Sequence, residues 1–169
     1  LIVRTKDWHP LNHKSFASNH PHKKIYDVIQ LGEVQQTLWP NHCVQNTSGA
    51  EFAKDLTNTI YVVVLKGMNP EIDSYSGFRD NSTKNITKLE SILRDANIDK
   101  VFVVGLATDY CVKFTVLDAL RLGFKTTVML NGCRGVNINQ DDSDKAIQEM
   151  QNAGAVILPT PIVTTPHQS

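Results

Sequence analysis

Cys111 follows a strand-like run, Val101-Phe-Val-Val104, then Gly105 and a short polar turn, and it opens a stretch with helical spacing. A cysteine in the first turn of a helix sits among unpaired N–H groups at the positive end of the helix dipole. Both favour thiolate over thiol, and the thiolate is the nucleophile. Open α/β sheets also bind ligands at the C-terminal ends of their parallel strands. Position alone does not make a nucleophile, because free cysteine usually just packs. Cys43 and Cys133 are read in that ordinary way.

A second group of residues has metal-binding chemistry. Asp7-Trp-His9 places a carboxylate and an imidazole two residues apart, on the same side of an extended chain. Trp39-Pro-Asn-His42-Cys43 supplies another imidazole. One oxygen and two nitrogen ligands suit Zn, Mn or Fe, with positions left for water or substrate. A lone D-x-H is more often a pair of solvated loop residues. His13, His20, His22 and His167 are read as solvent-facing, with His20 and His22 the nearest substitutes in a ligand set. Lys66 ends an apolar run at the same sheet edge as Cys111, where an ammonium can stabilise an anion. A surface lysine capping a strand is the plainer alternative. In the polar loop Asp73-Ser-Tyr-Ser76 and just after it, Tyr75 and Phe78 either line a pocket or pack the loop.

The elements that must position these groups alternate. Leu1 to Thr5 reads as a short strand, and Lys6 to about Pro40 as a long polar loop. Ile60-Tyr-Val-Val-Val-Leu65 is a continuous apolar, β-branched run, the pattern of a strand buried on both faces. Thr87-x-x-Glu90 has the form of a capping box, and Leu89, Ile92, Leu93 and Ala96 fall on one helical face. Val101–Val104 is the next strand. Val112, Val116, Ala119 and Leu120 keep helical spacing until Gly123 stops the helix. Lys125 to Leu130 reads as strand, Asp141 to Asn152 as helix, and Ala155 to Leu158 as a last strand. Pro159 onward reads as a loose tail. This order predicts right-handed βαβ units in one α/β domain, a mostly parallel central sheet with helices on both faces.

Composition removes several classes of function. Lys+Arg and Asp+Glu balance at 17 each, which argues against nucleic acid as a partner. No run approaches the roughly 18 apolar residues of a membrane span. The first residues lack the apolar core of a signal peptide. Three cysteines without a C-x-x-C argue against a disulfide framework and for a reducing, cytoplasmic setting.

Together the segments Asp7-Trp-His-Pro10, Asn12-His-x-Ser-Phe-Ala17, Trp39-Pro-x-His-Cys43, Lys66-Gly67, Asp73-Ser-Tyr-Ser76, Gly105-Leu-Ala-Thr-Asp-Tyr-Cys-Val112 and Gly132-Cys-Arg-Gly-Val-Asn137 resemble the nicotinamidases (pyrazinamidases) of the isochorismatase-like cysteine hydrolase superfamily. The resemblance runs from Val3 to about Leu158. It implies a three-layer α/β/α, Rossmann-like fold. It makes Cys111 the nucleophile and Lys66 the catalytic lysine. Asp7, His9 and His42 would hold one divalent metal, zinc first and manganese or iron next, which binds the pyridine nitrogen of nicotinamide. Trp39 and Tyr110 would flank the ring, with Tyr75 also against substrate. The N–H groups of Ala107 and Cys111 would form the oxyanion hole, after a cis peptide between Leu106 and Ala107. A homodimer is also common in the family.

One part of the pattern is not matched. The family's general base is an aspartate on a first strand, some tens of residues before the D-W-H motif, and no Asp here takes that role by motif. The expectation is therefore an N-terminally incomplete chain, a poor catalyst as written because proton transfer is worth about 10²–10⁴-fold. Asp109 is expected to be structural support. Two other readings stand beside the nicotinamidase: a hydrolase of a different small amide, and a non-catalytic metal- or ligand-binding relative.

Overall fold

The computed structural model describes residues 1–56 and 60–158. The chain divides into two compact units, Leu1–Asn97 and Ile98–Ser169.

In the first unit, β1 (Val3–Asp7), β2 (Val28–Leu31), β3 (Val34–Thr37) and β4 (Val62–Lys66) precede α1 (Leu89–Asp95). β1 and β4 pair in parallel, with Val3 opposite Val62 and Asp7 opposite Lys66. Strand β1 lies two residues later than the apolar start of the chain suggested, so Asp7 ends the strand instead of following it. The main chain continues the ladder for one more step, since Trp8 N–H donates to the Lys66 carbonyl at 3.0 Å.

The stretch from Lys6 to Pro40 is not one long loop. It contains the antiparallel hairpin β2–β3, closed by the two-residue turn Gly32-Glu33 between the paired Leu31 and Val34. Gly32, at φ +60°, is the left-handed residue that such a turn needs. The hairpin escapes a hydrophobicity reading because its buried residue is polar: Gln36 is fully enclosed. The Thr87 cap also differs from the expected box. Its hydroxyl oxygen accepts from the Leu89 N–H at 3.1 Å, while no side chain caps from Lys88, the N-cap position.

In the second unit, β5 (Lys100–Leu106) leads through a single π turn (Thr108–Val112) into α2 (Lys113–Arg121), β6 (Lys125–Arg134), α3 (Asp142–Asn152) and β7 (Val156–Leu158). The three strands form a parallel sheet in the order β5–β6–β7. Val112 and Val116 pack with Val128, Cys133, Met150 and Ala155 in one core. The fold is α/β with mainly parallel pairing, as the alternation predicts.

The expectation that the Ile60–Leu65 strand is buried on both faces does not hold. Val63 and Leu65 of β4 keep over a third of their surface, and Phe102, Val104 and Leu106 of β5 more than half. The strands obey a period of two, with Val64 and Lys66 turned inward in β4. An all-apolar sequence hides that period.

Candidate active site

Asp7, His9, Trp39, His42, Lys66 and Tyr75 lie in the first unit, and Ala107, Tyr110 and Cys111 in the second.

Main-chain pairing builds the first group. His9 N–H donates to the Cys43 carbonyl at 3.0 Å, and Gln45 N–H donates to the His9 carbonyl at 2.8 Å. That short ladder carries His42 to His9, although 33 positions separate them in the sequence. A second bridge fixes Trp39 to the Ser15–Ala17 segment through Trp39 N–H to Ser15 carbonyl (2.7 Å) and Ala17 N–H to Trp39 carbonyl (2.9 Å). Phe16 between them is fully buried, its ring edge-on to His9 and His42 with centroids 5.5 Å from each.

The ligand atoms of Asp7, His9 and His42 lie within 4.8 Å of one another. His9 Nδ1 is 2.8 Å from the Gly67 carbonyl, and His42 Nδ1 is 2.8 Å from the Pro40 carbonyl. A carbonyl only accepts, so in both rings Nδ1 carries the proton and Nε2 keeps its lone pair. Metal-binding histidines are held in this way. The donor set therefore fits a borderline divalent cation.

Lys66 is 5% exposed, not the surface lysine of the plainer reading. Its ammonium donates to the Asp7 carboxylate and, at 2.7 Å, to the Ser74 carbonyl. Burial pushes the Asp7 carboxyl upward, but the charge of Lys66, then His9, the Lys66 hydrogen bond and His42 outweigh it and hold the group below its usual 3.8. Asp7 is thus ionised at neutral pH, as a ligand must be.

His13 corrects the sequence reading most. It is fully buried, not solvent-facing, and its ring lies 4.5 Å from that of His9. Its Nδ1 accepts from the Ser15 N–H at 3.1 Å, with Ser15 Oγ at 2.7 Å. Burial outweighs the nearby Asp73 charge and pushes its pKa down to about 4, so it is neutral at pH 7. With His9 and Asp73 it forms a second cluster of ligand atoms within 4.8 Å. The suggested substitutes join neither cluster: His20 Nε2 lies 2.7 Å from the Lys14 carbonyl and His22 is exposed. His167 lies outside the described residues.

Trp39 and Tyr75 meet through a polar contact. Trp39 Nε1–H donates to the Tyr75 hydroxyl at 3.2 Å, and Gln36 Nε2–H donates to the same oxygen at 3.1 Å and to Asp73 Oδ2 at 3.3 Å. No sequence motif marks Gln36; only the Gly32-Glu33 turn hints that it lies in a strand. Phe78 is buried in loop packing.

In the second unit, the Leu106–Ala107 peptide is cis, as the resemblance implies. The Ala107 carbonyl accepts from both Tyr110 N–H (3.1 Å) and Val112 N–H (3.0 Å), which makes the π turn that carries Tyr110 and Cys111. Such turns occur often at functional sites. Asp109 is buried and accepts from Val136 N–H at 2.9 Å and Asn137 N–H at 2.8 Å. It ties the turn that carries Cys111 to the Gly132–Asn137 segment, a structural bond of the kind expected of it. Gly135 instead makes room for α3, since a Cβ there would meet Ser143 Oγ at 1.9 Å. Cys43 and Cys133 stay protonated at neutral pH: burial raises the pKa of Cys43, with the Asp7 charge adding to it, and burial raises that of Cys133.

Residues 8–161 match the isochorismatase domain family. The nicotinamidase of Escherichia coli is 52% identical over 157 residues, which cover 92% of this chain and 73% of that protein. A nicotinamidase/pyrazinamidase structure from Acinetobacter baumanii superposes with a TM-score of 0.89 at 45% identity, over 92% of this chain and 75% of that one. A pyrazinamidase of Pyrococcus horikoshii, solved in complex with zinc, superposes with a TM-score of 0.73 at 38% identity, over 94% and 74%.

Proposed function

Because the chain belongs to the isochorismatase domain family and, within it, to the nicotinamidases, we propose that this amidohydrolase converts nicotinamide to nicotinate and ammonia through a thioester on Cys111, as a step of NAD salvage. The observation that carries the reading is the Asp7–His9–His42 set with Lys66 on Asp7. Nothing in thiol chemistry alone requires such a set. A pyridine substrate gives it a purpose, because Asp7, His9 and His42 would hold a divalent ion that would supply Lewis-acid chemistry to a ring nitrogen. Zinc is the first choice, given the zinc-bound relative from Pyrococcus horikoshii.

This chain's own residues then divide the work. Trp39 and Tyr110 each take the family's role of a ring-binding residue, and the Tyr75 hydroxyl steadies the Trp39 indole. The Cys111 thiolate attacks the amide carbon. The N–H groups of Ala107 and Cys111 receive the developing oxyanion, where losing one donor typically costs about 10²–10³ in rate. Lys66 takes the role of the family's catalytic lysine, and its ammonium holds the Asp7 carboxylate. The thiol proton passes through a base to the leaving nitrogen, so ammonia departs neutral. Water then cleaves the thioester, giving nicotinate and restoring the thiol. In the family pattern the base is an aspartate, and no residue described above is assigned to it. Pyrazinamide offers the same ring nitrogen and amide and is a second substrate in this reading.

The test is ammonia release from nicotinamide by the zinc-loaded protein that carries this sequence, beside its Cys111→Ala variant. The variant should lose about a thousandfold or more of the rate and still bind nicotinate. A variant that keeps its rate would remove the thioester. Nicotinate binding without turnover in the parent protein would point either to the unmatched aspartate base or to a non-catalytic relative.

A further inference from the structure

Gly67 follows Lys66 at the end of β4, with φ at +65°. A Cβ on it would lie 2.4 Å from Cε1 and 2.6 Å from Nδ1 of His9. Real side chains essentially never come that close, so something would have to shift. The imidazole has little room to do so. His9 is almost fully enclosed, and its ring is wedged among His13 (centroids 4.5 Å), His42 (4.9 Å) and Phe16 (5.5 Å). The carbonyl of the same glycine is the partner of His9 Nδ1 at 2.8 Å, from 58 positions away in the chain.

We propose that Gly67 is the positioning residue of the metal centre: its carbonyl fixes the His9 tautomer that offers Nε2 to a divalent cation, and its missing side chain is the space the imidazole occupies. The proposal rests on the reading of Asp7, His9 and His42 as the ligand set. It explains why one short turn serves two tasks. Lys66 sends its ammonium to Asp7, and the next residue sets the neighbouring ligand, so a shift of this turn disturbs two of the three ligands together. His42 needs no such help, since its Nδ1 contact is to Pro40, two residues before it.

The molecule supplies its own control. Gly32 has nearly the same φ, +60°, and a Cβ there would meet no atom within 4 Å. Alanine at either position carries the same left-handed backbone penalty, and only at 67 does it also strike a ligand. The experiment is zinc affinity, measured by competition with a chromophoric chelator, for the parent protein, Gly67→Ala and Gly32→Ala. Gly67→Ala should lose 10–100-fold, the usual effect of disturbing a group that orients a ligand; Gly32→Ala should stay within about twofold of the parent. A folded Gly67→Ala protein with parental affinity would overturn the proposal. Nitrogen-15 NMR of the His9 ring in the metal-free parent protein decides the case independently of any variant. Protonation at Nδ1 is expected, and protonation at Nε2 refutes the tautomer. A parent protein that binds no zinc would refute the ligand set, and the NMR result would still judge Gly67.

Discussion

Lys66→Met keeps the buried aliphatic stem and removes the ammonium. The Lys66 head is enclosed and donates to the Asp7 carboxylate and the Ser74 carbonyl. Breaking a buried ion pair from one side costs about 3–5 kcal/mol, because the remaining charge has no partner. The Asp7 side chain retains 20% of its exposure. Water at that edge lowers the expected cost to roughly 2–4 kcal/mol in the metal-free protein. At about 2–4 °C per kcal/mol, the Tm should fall by roughly 5–15 °C. The pH dependence follows from Asp7, whose carboxyl is held below its usual 3.8 in the fold. A depressed carboxyl stabilises the fold fully above its unfolded pKa, and that contribution is lost as pH falls through the folded value. The deficit of the variant should therefore be complete from pH 5 to 8 and shrink below about pH 4. Saturating zinc should also shrink it, because the cation supplies the charge that Lys66 gave. Thermal unfolding followed by circular dichroism, with and without zinc, measures all three effects. A metal-free variant melting within about 2 °C of the parent at pH 7 would refute the claim that this pair sustains the site.

Asp109→Ala removes two charge-assisted bonds, to Val136 and Asn137 N–H; it should cost about 3 kcal/mol or more and speed hydrogen exchange at those two amides, and unchanged protection would contradict the supporting role. Phe16→Ala should cost about 3–5 kcal/mol as a cavity under His9 and His42, and a zinc titration should weaken with it; a loss of stability alone would mean that the ring does not seat the ligands. Removing zinc held at a hundred times its Kd should cost about 2.7 kcal/mol of stability. In His42→Ala that zinc-dependent Tm shift should vanish, and its persistence would point to a ligand set without His42.

Much of the site was legible because its chemistry is local. Asp7 and His9 converge through the two-residue period of an extended chain, and Cys111 is marked by a strand, a glycine and a helical pattern. What escaped did so for physical reasons. His13 looks like any loop histidine until the chain folds over it, and burial then makes it neutral. Gln36 is a buried polar residue in a strand, so the hydrophobic pattern passes over the hairpin that carries it. Val63 and Leu65 look fully buried because apolar residues on both faces hide which face is covered.

The sequence by itself determined the alternation of strands and helices, the family and the residue types of the site, because these depend on near neighbours and on motif order. The tertiary structure alone decided which nitrogen of His9 is free, what pairs with Lys66 and why residue 67 must be glycine. Those answers rest on contacts between segments far apart in the chain, such as the 58 positions separating His9 from Gly67. A sequence lists such partners without their distances, and ring tautomers and buried ion pairs depend on differences of a few tenths of an ångström.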